Sequence, residues 1–400
     1  MTLFYIIVGL VLLQSAVSLR GGFRYLAFFR REAGAALPTY TPFASVIVPC
    51  RGTDQGIDEN FAALFAQDYP AYEIVFVGDR REDPALVLAE ELCGSLPGGG
   101  VKRARVVVAG AARESGQKVH NLRAAVSEAD PKSKVFVFVD TDARPQAHWL
   151  RSLVAPLADA GTGAATGYRW FVPARDRLAS HLRSVWNASI ASALGADTRR
   201  NFCWGGSTAV RRETFERLGV AEAWRGALSD DYALTRTLRG AGLTVRFVPS
   251  CLTPSFEDCT FDELFEFTTR QLKITRIYAP HLWKMVLYSN MLFTLGFFGG
   301  GVVVAARAAL GLPYDAPLAL LCAIFLTGAL KAFVRLRAVA MTLAPYHARL
   351  WRGAWAHLLL WPLTAALFLY NALAAARSHR ITWRGITYEL ISPTETAIIR

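Results

Sequence analysis

A long apolar run opens the chain and predicts a membrane anchor. Residues 2–19 carry no charged side chain and approach the length that a helix needs to cross a bilayer. Basic residues follow the run at once, at Arg20, Arg24, Arg30 and Arg31. A cleavable signal peptide would carry its positive charge before the apolar run. The pattern therefore predicts a retained anchor over residues 1–20 with its carboxyl end on the cytoplasmic side, followed by an interfacial segment and linker over residues 21–42.

The pattern changes over residues 43–280, where short β-rich runs alternate with helical stretches. The β-rich runs read SVIVP, YEIVFVGD, ARVVVAG, KVFVFVD and TVRFVP. Between the first two, Phe61, Leu64 and Phe65 recur at helical spacing. A run that is apolar throughout, such as Val135–Val139, is typical of a central strand buried on both faces. The alternation predicts an α/β domain whose mostly parallel sheet is covered by helices.

Residues 281–375 are apolar again and contain three hydrophobic stretches, at about 284–306, 316–334 and 353–375. Pro362 lies near the middle of the third stretch, and a proline there can interrupt a helix. The third stretch is therefore either a re-entrant hairpin or a full span. Residues 376–400 are expected to form a tail.

Composition agrees with one soluble domain joined to several membrane segments. Hydrophobic residues make up 53% of the 400 residues, charged residues make up 19%, and the net charge is +12. An excess of positive charge in a membrane protein usually flanks the spans on the cytoplasmic side. No motif of a nucleic-acid module accompanies it, so we expect no nucleic-acid partner. The six cysteines show neither a CxxC pair nor zinc spacing, which predicts free thiols.

Polar residues follow the predicted strands at the point where each strand ends. Asp140 and Asp142 come directly after the buried run at 135–139, and Asp79 ends the second β-rich run. Because ligands of open α/β sheets bind at the carboxyl ends of strands, these carboxylates mark a candidate site. Two carboxylates that are two residues apart can coordinate one Mg²⁺ or Mn²⁺ ion that also binds a substrate phosphate. A solvated turn in which Asp142 caps a helix is the alternative interpretation of this motif.

Two further segments carry candidate residues. Lys118 precedes a predicted helix at a position suited to a phosphate, although a lone lysine there is usually only exposed. Asp230 and Asp231 begin an amphipathic helix, where carboxylates are favoured by the helix dipole. Either aspartate is a cap or, if it lies near a reacting hydroxyl, a general base.

The order of these motifs is more specific than any one of them. It runs V-P-x-R-G, G-D, K-x-x-N-L, D-x-D, G-G-S-x-A-x-R-R and D-D-Y-x-L. Together these motifs resemble the membrane-bound family 2-type glycosyltransferases of the GT-A fold, and more closely their ceramide glucosyltransferase-like branch. The resemblance covers about residues 43–280 and extends to the layout of one anchor before the domain and several spans after it. It implies an α/β GT-A fold, Rossmann-like with a mixed, mostly parallel sheet.

The resemblance also implies roles for individual residues. Pro49, Arg51 and Asp79 would hold the uracil and ribose of a UDP-sugar donor. Lys118 and Asp140 would lie near the diphosphate or the sugar. The metal, Mg²⁺ or Mn²⁺, would be coordinated by Asp142, with Asp140 beside it.

The same resemblance implies an inverting reaction with a single base. Asp231 would take the proton of the acceptor hydroxyl, and Asp230 would support it. The acceptor would be a membrane lipid, and the enzyme would lie in the inner membrane of a bacterium with its catalytic domain in the cytoplasm. The sequence does not say which sugar is moved or which lipid accepts it.

The chain departs from the family at residues 270–274, which read RQLKI where the family has (Q/R)-x-x-R-W. Arg270 matches the first position, and Lys273 keeps a positive charge for the donor phosphates but loses the bidentate fork of arginine. Ile274 loses the aromatic face of tryptophan. Two alternatives stay open: a processive polysaccharide synthase of the same fold, and an inactive membrane-anchored protein that binds nucleotide sugars.

Overall fold

The chain folds into two compact units. The computed structural model describes residues 1–36, 38–94 and 99–399. One unit, here called the helical unit, comprises Met1–Arg31, Val172–Ser192 and Asp258–Ser378. The other, here called the sheet unit, comprises Glu32–Phe171, Ala193–Glu257 and His379–Arg400.

The strands lie in the sheet unit and the longest helices in the helical unit. The strands are β1 (Ala44–Pro49), β2 (Tyr72–Gly78), β3 (Val101–Val108), β4 (Val135–Val139), β5 (Thr162–Phe171), β6 (Ser207–Arg211), β7 (Thr244–Ser255), β8 (Arg380–Trp383), β9 (Ile386–Ser392) and β10 (Glu395–Ile399). The helices are α1 (Thr2–Ala33), α2 (Ile57–Phe65), α3 (Pro84–Cys93), α4 (Gln117–Glu128), α5 (Trp149–Val154), α6 (Leu178–Ala191), α7 (Arg212–Arg217), α8 (Val220–Ala223), α9 (Asp230–Gly240), α10 (Phe261–Tyr278), α11 (Pro280–Ala309), α12 (Asp315–Thr342), α13 (His347–Arg352), α14 (Ala354–Leu359) and α15 (Trp361–Arg377).

The large sheet confirms the predicted α/β fold. Its strand order is β3-β2-β1-β4-β6-β5-β7. The pairs β1–β2, β1–β4, β2–β3 and β5–β7 are parallel, and β6 runs antiparallel to both of its neighbours. The sequence did not indicate β5 or β6, because β5 begins in the small residues TGAATG and β6 is a five-residue strand directly after two glycines.

Strand β4 shows how the core forms on both faces of this sheet. Its five residues are buried, as expected of a central strand. Alternate side chains point to opposite faces, so the valines of Val135–Val139 join one hydrophobic cluster and the phenylalanines join the other. Helix α2 covers the valine face with Phe61, whose ring lies 4.8 Å from that of Phe76 on β2. Full burial of each such side chain contributes roughly 1.5–3 kcal/mol.

The helical unit contains the helices that can cross a membrane. Within the described residues, three helices are long and apolar enough to do so: α1, α11 and α12. Helix α1 runs without interruption through the segment expected to lie on the membrane surface and ends at Ala33. The third predicted stretch is divided at Leu360 into α14 and α15, with Pro362 in the first turn of α15. Lys331 of α12 donates to the hydroxyl of Ser18 on α1 at 2.6 Å.

The carboxyl terminus forms a second, smaller sheet where a tail was expected. Its order is β10-β9-β8, and both pairs are antiparallel. Arg384 and Gly385 form the two-residue turn between β8 and β9, with φ angles of 50° and 77°. Positive φ at both central residues is the geometry of a type I′ hairpin turn, which matches the twist of the two strands. We call residues 380–392 the C-terminal hairpin.

Candidate active site

The carboxyl ends of three neighbouring strands form one edge of the sheet, and the predicted polar residues of those strands meet there. β2, β1 and β4 are adjacent and parallel. Pro49 is the last residue of β1, Asp79 follows β2, and Asp140 follows β4. Ligands of open α/β sheets bind outside this end of the strands. The edge is therefore the candidate active site.

An arginine and an aspartate form an ion pair where β1 and β2 end. Nη1 of Arg51 pairs with Oδ2 of Asp79, and both side chains are largely buried. The other carboxylate oxygen, Oδ1 of Asp79, is enclosed without a hydrogen-bond partner in the described parts of the chain. The loop after β1 is fixed from the other side, since the Gly52 amide donates to the Asp83 carboxylate at 2.8 Å. An enclosed oxygen without a donor is costly by itself, so it is suited to a ligand hydroxyl or N–H group.

Lys118 joins two of the predicted carboxylates. Its Nζ lies 2.7 Å from Oδ1 of Asp140 and 3.4 Å from Oδ1 of Asp230. Burial alone would raise the pKa of Asp140, but the charges of Lys118 and Arg169 lower it. Burial opposes the charge of Lys118, yet the two carboxylates raise its pKa. The ammonium and Asp140 therefore both stay charged at neutral pH.

Asp230 titrates differently from Asp140. It is buried at the start of α9, and burial raises its pKa to about 6 against the opposing charge of Lys118. Its proximity to Lys118 is possible only because Gly205 has no side chain. A Cβ at Gly205 would collide with the Asp230 carboxylate and lie 2.8 Å from Nζ of Lys118. A Cβ at Gly206 would lie 2.8 Å from Oδ2 of Asp140.

Asp142 pairs with an arginine that the sequence did not indicate. Nη1 of Arg169 on β5 binds its Oδ2, and both side chains are largely buried. The guanidinium is held over the rings of Phe171 and Trp204, at 5.2 and 5.3 Å from their centroids. Oδ1 of Asp142 is enclosed and has no hydrogen-bond partner among the residues described. Burial raises the pKa of Asp142 to about 7 against the lowering effect of Arg169, and Glu257 adds to the rise.

The carboxylates suit a divalent cation whose remaining ligands come from a substrate and from water. Oδ1 of Asp142 is an enclosed hard oxygen without a partner, and Asp140 lies two residues away. In the parts of the chain that the structure describes, no three His, Cys, Asp or Glu side chains are grouped to hold a metal by themselves. Mg²⁺ is commonly bound through one or two carboxylates together with phosphate oxygens and water. The residues present suit that kind of site.

Asp231 is held at the start of α9 by local hydrogen bonds. Its Oδ1 accepts from the Tyr232 amide at 2.7 Å and from the hydroxyl of Ser229. Ser229 is also the N-cap of the helix. Burial raises the pKa of Tyr168, and the charge of Asp231 adds to that rise. The Tyr168 ring lies 5.3 Å from that of Trp204.

Arg270 and Lys273 belong to the helical unit, on α10. Helix α10 begins with a capping box formed by Thr260 and Glu263. Arg270 pairs with Glu266 one turn earlier at 3.2 Å and lies over the ring of Phe267. The roles assigned to Arg270 and Lys273 stay predictions.

Sequence reasoning missed a contact between the C-terminal hairpin and the active-site edge. Nη2 of Arg384 binds Oδ1 of Asp54, whose Oδ2 accepts from the hydroxyl of Thr141, the residue between Asp140 and Asp142. The backbone oxygen of Arg384 accepts from Nε of Arg51 at 2.9 Å. The signal was present, since RITW and ITYELIS flank the turn residues Arg384 and Gly385 in the manner of a hairpin.

Comparison with known proteins identifies the family. Among solved structures, the chain is similar to the mannosyltransferase PcManGT from Pyrobaculum calidifontis in complex with GDP-Man and Mn²⁺, with 19% identity over 93% of this chain and 99% of that one and a TM-score of 0.49. It is also similar to glucosyl-3-phosphoglycerate synthase from Mycobacterium tuberculosis in complex with Mn²⁺ and UDP-glucose, with 16% identity over 63% and 82% and a TM-score of 0.39. The sequence profile of glycosyl transferase family 21 matches residues 5–396. Because that match spans nearly the whole chain, this protein belongs to glycosyl transferase family 21, the ceramide glucosyltransferase-like family whose motif order its own sequence resembles.

Proposed function

We propose that this glycosyltransferase moves a single sugar from a UDP-sugar to a hydroxyl group of a membrane lipid, with inversion at the anomeric carbon and with Mg²⁺ or Mn²⁺ as its cofactor. The sheet unit would work on the cytoplasmic side of a bacterial inner membrane. The basic residues that follow the apolar part of α1 support that orientation.

One observation is the main support for the proposed donor site. Two carboxylate oxygens, Oδ1 of Asp79 and Oδ1 of Asp142, are enclosed without partners at the ends of two strands of the same parallel group. Buried carboxylate oxygens are normally hydrogen-bonded. Two such oxygens without a hydrogen-bond partner among the described residues, at an edge where ligands bind, indicate that a ligand contacts each of them. A ribose hydroxyl would satisfy the oxygen beside Arg51, and a cation would satisfy the oxygen beside Arg169.

The residues of the site divide the work of binding the donor. Arg51 and Asp79, with Pro49 at the end of β1, would hold the nucleoside. Lys118 would offset the negative charge of the diphosphate, and Asp140 keeps the lysine ammonium in place at 2.7 Å. A bound Mg²⁺ or Mn²⁺ would supply stabilisation of the charge on the leaving UDP. Arg270 and Lys273 stay further candidates for the donor phosphates.

Asp231 would act as the general base. As the acceptor oxygen bonds to the anomeric carbon, the bond from that carbon to the diphosphate breaks and its electron pair leaves with UDP. The proton of the acceptor hydroxyl passes to Asp231. Ser229 and the Tyr232 amide hold one oxygen of this carboxylate, which fixes its direction. Asp230, held by Lys118, would keep the start of α9 in place beside it. A single base is sufficient because inversion needs no enzyme nucleophile.

A UDP-release assay tests this function. Purified full-length protein in detergent would receive Mn²⁺ or Mg²⁺ and a panel of UDP-sugars, with and without a total lipid extract. We expect UDP release that depends on one sugar, on lipid and on the metal. A long polymeric product would favour the polysaccharide synthase instead. Absence of both UDP release and UDP binding would favour the inactive alternative.

A further inference from the structure

We infer that the C-terminal hairpin is part of the donor site and that Arg384, at its tip, binds the diphosphate of the donor, an assignment that rests on the proposed UDP-sugar donor. None of the motifs that indicated the donor site includes this segment. Four features of the structure support the assignment: the backbone conformation of Arg384, its side-chain contacts, its exposure, and the anchoring of the hairpin.

Arg384 occupies a backbone position that arginine rarely adopts. Its φ of 50° makes it the one non-glycine residue with positive φ in the described part of the chain. Type I′ turns strongly prefer asparagine, aspartate or glycine there, since a larger L-residue is strained in this conformation. Strain of this kind persists where the side chain has a function and the surrounding contacts enforce the conformation. The strained backbone of Arg384 therefore indicates that its side chain has a function.

The contacts of Arg384 direct its guanidinium along the active-site edge. Asp54, whose side chain is only 4% exposed, binds Nη2 and also accepts from Thr141 within the D-x-D motif. A carboxylate that holds one side of a guanidinium orients the remaining N–H groups. Burial lowers the pKa of Arg384, whereas the negative charges of Asp54 and Asp142 raise it. Through Asp54, Arg384 is thus linked to Thr141, the residue between the two aspartates to which the cation is assigned.

Exposure separates Arg384 from the other cations of the site. The side chains of Lys118, Arg169 and Arg51 are 15%, 14% and 26% exposed, and each is paired with an active-site aspartate. Arg384 is 40% exposed. The Arg384 guanidinium also lies beside Gly52, which has no side chain: a Cβ there would be 4.0 Å from Nη1 of Arg384. Of these cations Arg384 has the most surface for an incoming anion, and a guanidinium matches phosphate oxygens in a bidentate manner.

The C-terminal hairpin and the residues after it contact the rest of the sheet unit at Arg384 and beyond it. Arg51, assigned to the nucleoside, donates from Nε to the Arg384 carbonyl at 2.9 Å. On β9, the hydroxyl of Tyr388 accepts from the amide of Gln117, next to Lys118, at 3.2 Å. After β9, the Thr394 carbonyl lies so close to Gly226 that a Cβ there would collide with it. The turn of the hairpin is therefore held by Arg51, which is assigned to the nucleoside, and β9 is held by the amide next to Lys118.

Binding of UDP and of uridine tests the role of Arg384. Purified full-length protein in detergent would be titrated calorimetrically with each compound in the presence of Mn²⁺. Arg384→Gly should weaken UDP binding roughly 10- to 100-fold, as expected for one charge-assisted hydrogen-bonding group, and leave uridine binding within twofold. Arg384→Lys should fall between the wild type and the glycine variant. Arg380→Ala is the matched control, because Arg380 lies on the same hairpin and pairs with Glu389 at its exposed surface.

The glycine variant also separates function from folding. Glycine is favoured at this turn position, and this gain opposes the loss of the ion pair with Asp54, so the melting temperature of Arg384→Gly should stay within a few degrees of the wild type. Unchanged UDP affinity in Arg384→Gly would overturn the assignment. An equal loss of UDP and uridine binding would overturn it as well, since the hairpin would then only shape the nucleoside corner. A wild type that binds neither compound would refute the UDP donor and the role of Arg384 with it.

Discussion

Nζ of Lys118 lies 2.7 Å from Oδ1 of Asp140 and joins the first turn of α4 to the end of β4. The same ammonium reaches Asp230 at the start of α9, 3.4 Å away. One lysine thus connects the D-x-D motif to the helix that carries the proposed base. Both carboxylates depend on it, because neither is solvated well enough to remain charged at low cost without a cation.

Lys118→Met should lower the stability of the protein. The substitution leaves Asp140 and Asp230 close together and without their shared cation, which should cost about 3 kcal/mol of folding free energy. A melting temperature measured in detergent should fall by several degrees. The double variant Lys118→Met with Asp230→Asn removes one of the two charges and should recover part of that loss. Equal melting temperatures for wild type and Lys118→Met would show that the ion pairs contribute nothing to stability.

Asp231→Asn should abolish sugar transfer while leaving donor binding intact. Asparagine keeps the shape and an acceptor for the Tyr232 amide, but it cannot take a proton. General-base catalysis usually contributes 10²- to 10⁴-fold, so kcat should fall by about that factor. Calorimetry with UDP should give the affinity of the wild type. Ser229→Ala offers a graded comparison, since it removes one hydrogen bond to the base and should lower kcat by a smaller factor. A fully active Asp231→Asn enzyme would exclude this residue as the base.

The sequence predicted the strands that carry the site because their patterns are local. Val135–Val139 is apolar on both faces, and β1 and β2 have similar runs that end in polar residues. Parallel pairing of these strands then places Pro49, Asp79 and Asp140 at one edge without any further information. The roles of these residues came from the motif order and stay predictions.

The missed parts of the site depend on contacts between residues far apart in the chain. Arg169 lies on β5, whose amino-terminal half is too poor in β-branched residues to be recognised, and its pairing with Asp142 follows from the sheet order β4-β6-β5. Arg384 is separated from Asp54 by most of the chain. The hairpin around Arg384 has a local signal, but nothing in that signal indicates where the hairpin packs.

Asp142→Asn should remove the response to metal. A ligand that binds only the folded state raises the free energy of unfolding of the protein by RT ln(1 + [L]/Kd). Mn²⁺ together with UDP should therefore raise the melting temperature of the wild type, and EDTA should reverse the rise. In Asp142→Asn the enclosed Oδ1 position loses its negative charge, so the added stability from Mn²⁺ should be lost while any effect of UDP alone remains. An undiminished response of Asp142→Asn to Mn²⁺ would place the cation elsewhere.

Gly205→Ala should disrupt the active site through a single methyl group. Its Cβ would collide with the Asp230 carboxylate and lie 2.8 Å from Nζ of Lys118, so the ion pairs must shift. Overpacking of this kind typically costs about 1–3 kcal/mol. Gly195→Ala is the matched control, because a Cβ there meets nothing within 4 Å. We expect a lower melting temperature and reduced UDP release for Gly205→Ala, and wild-type values for Gly195→Ala. If both alanine variants behaved alike, Gly205 would not be needed to let Lys118 and Asp230 approach each other.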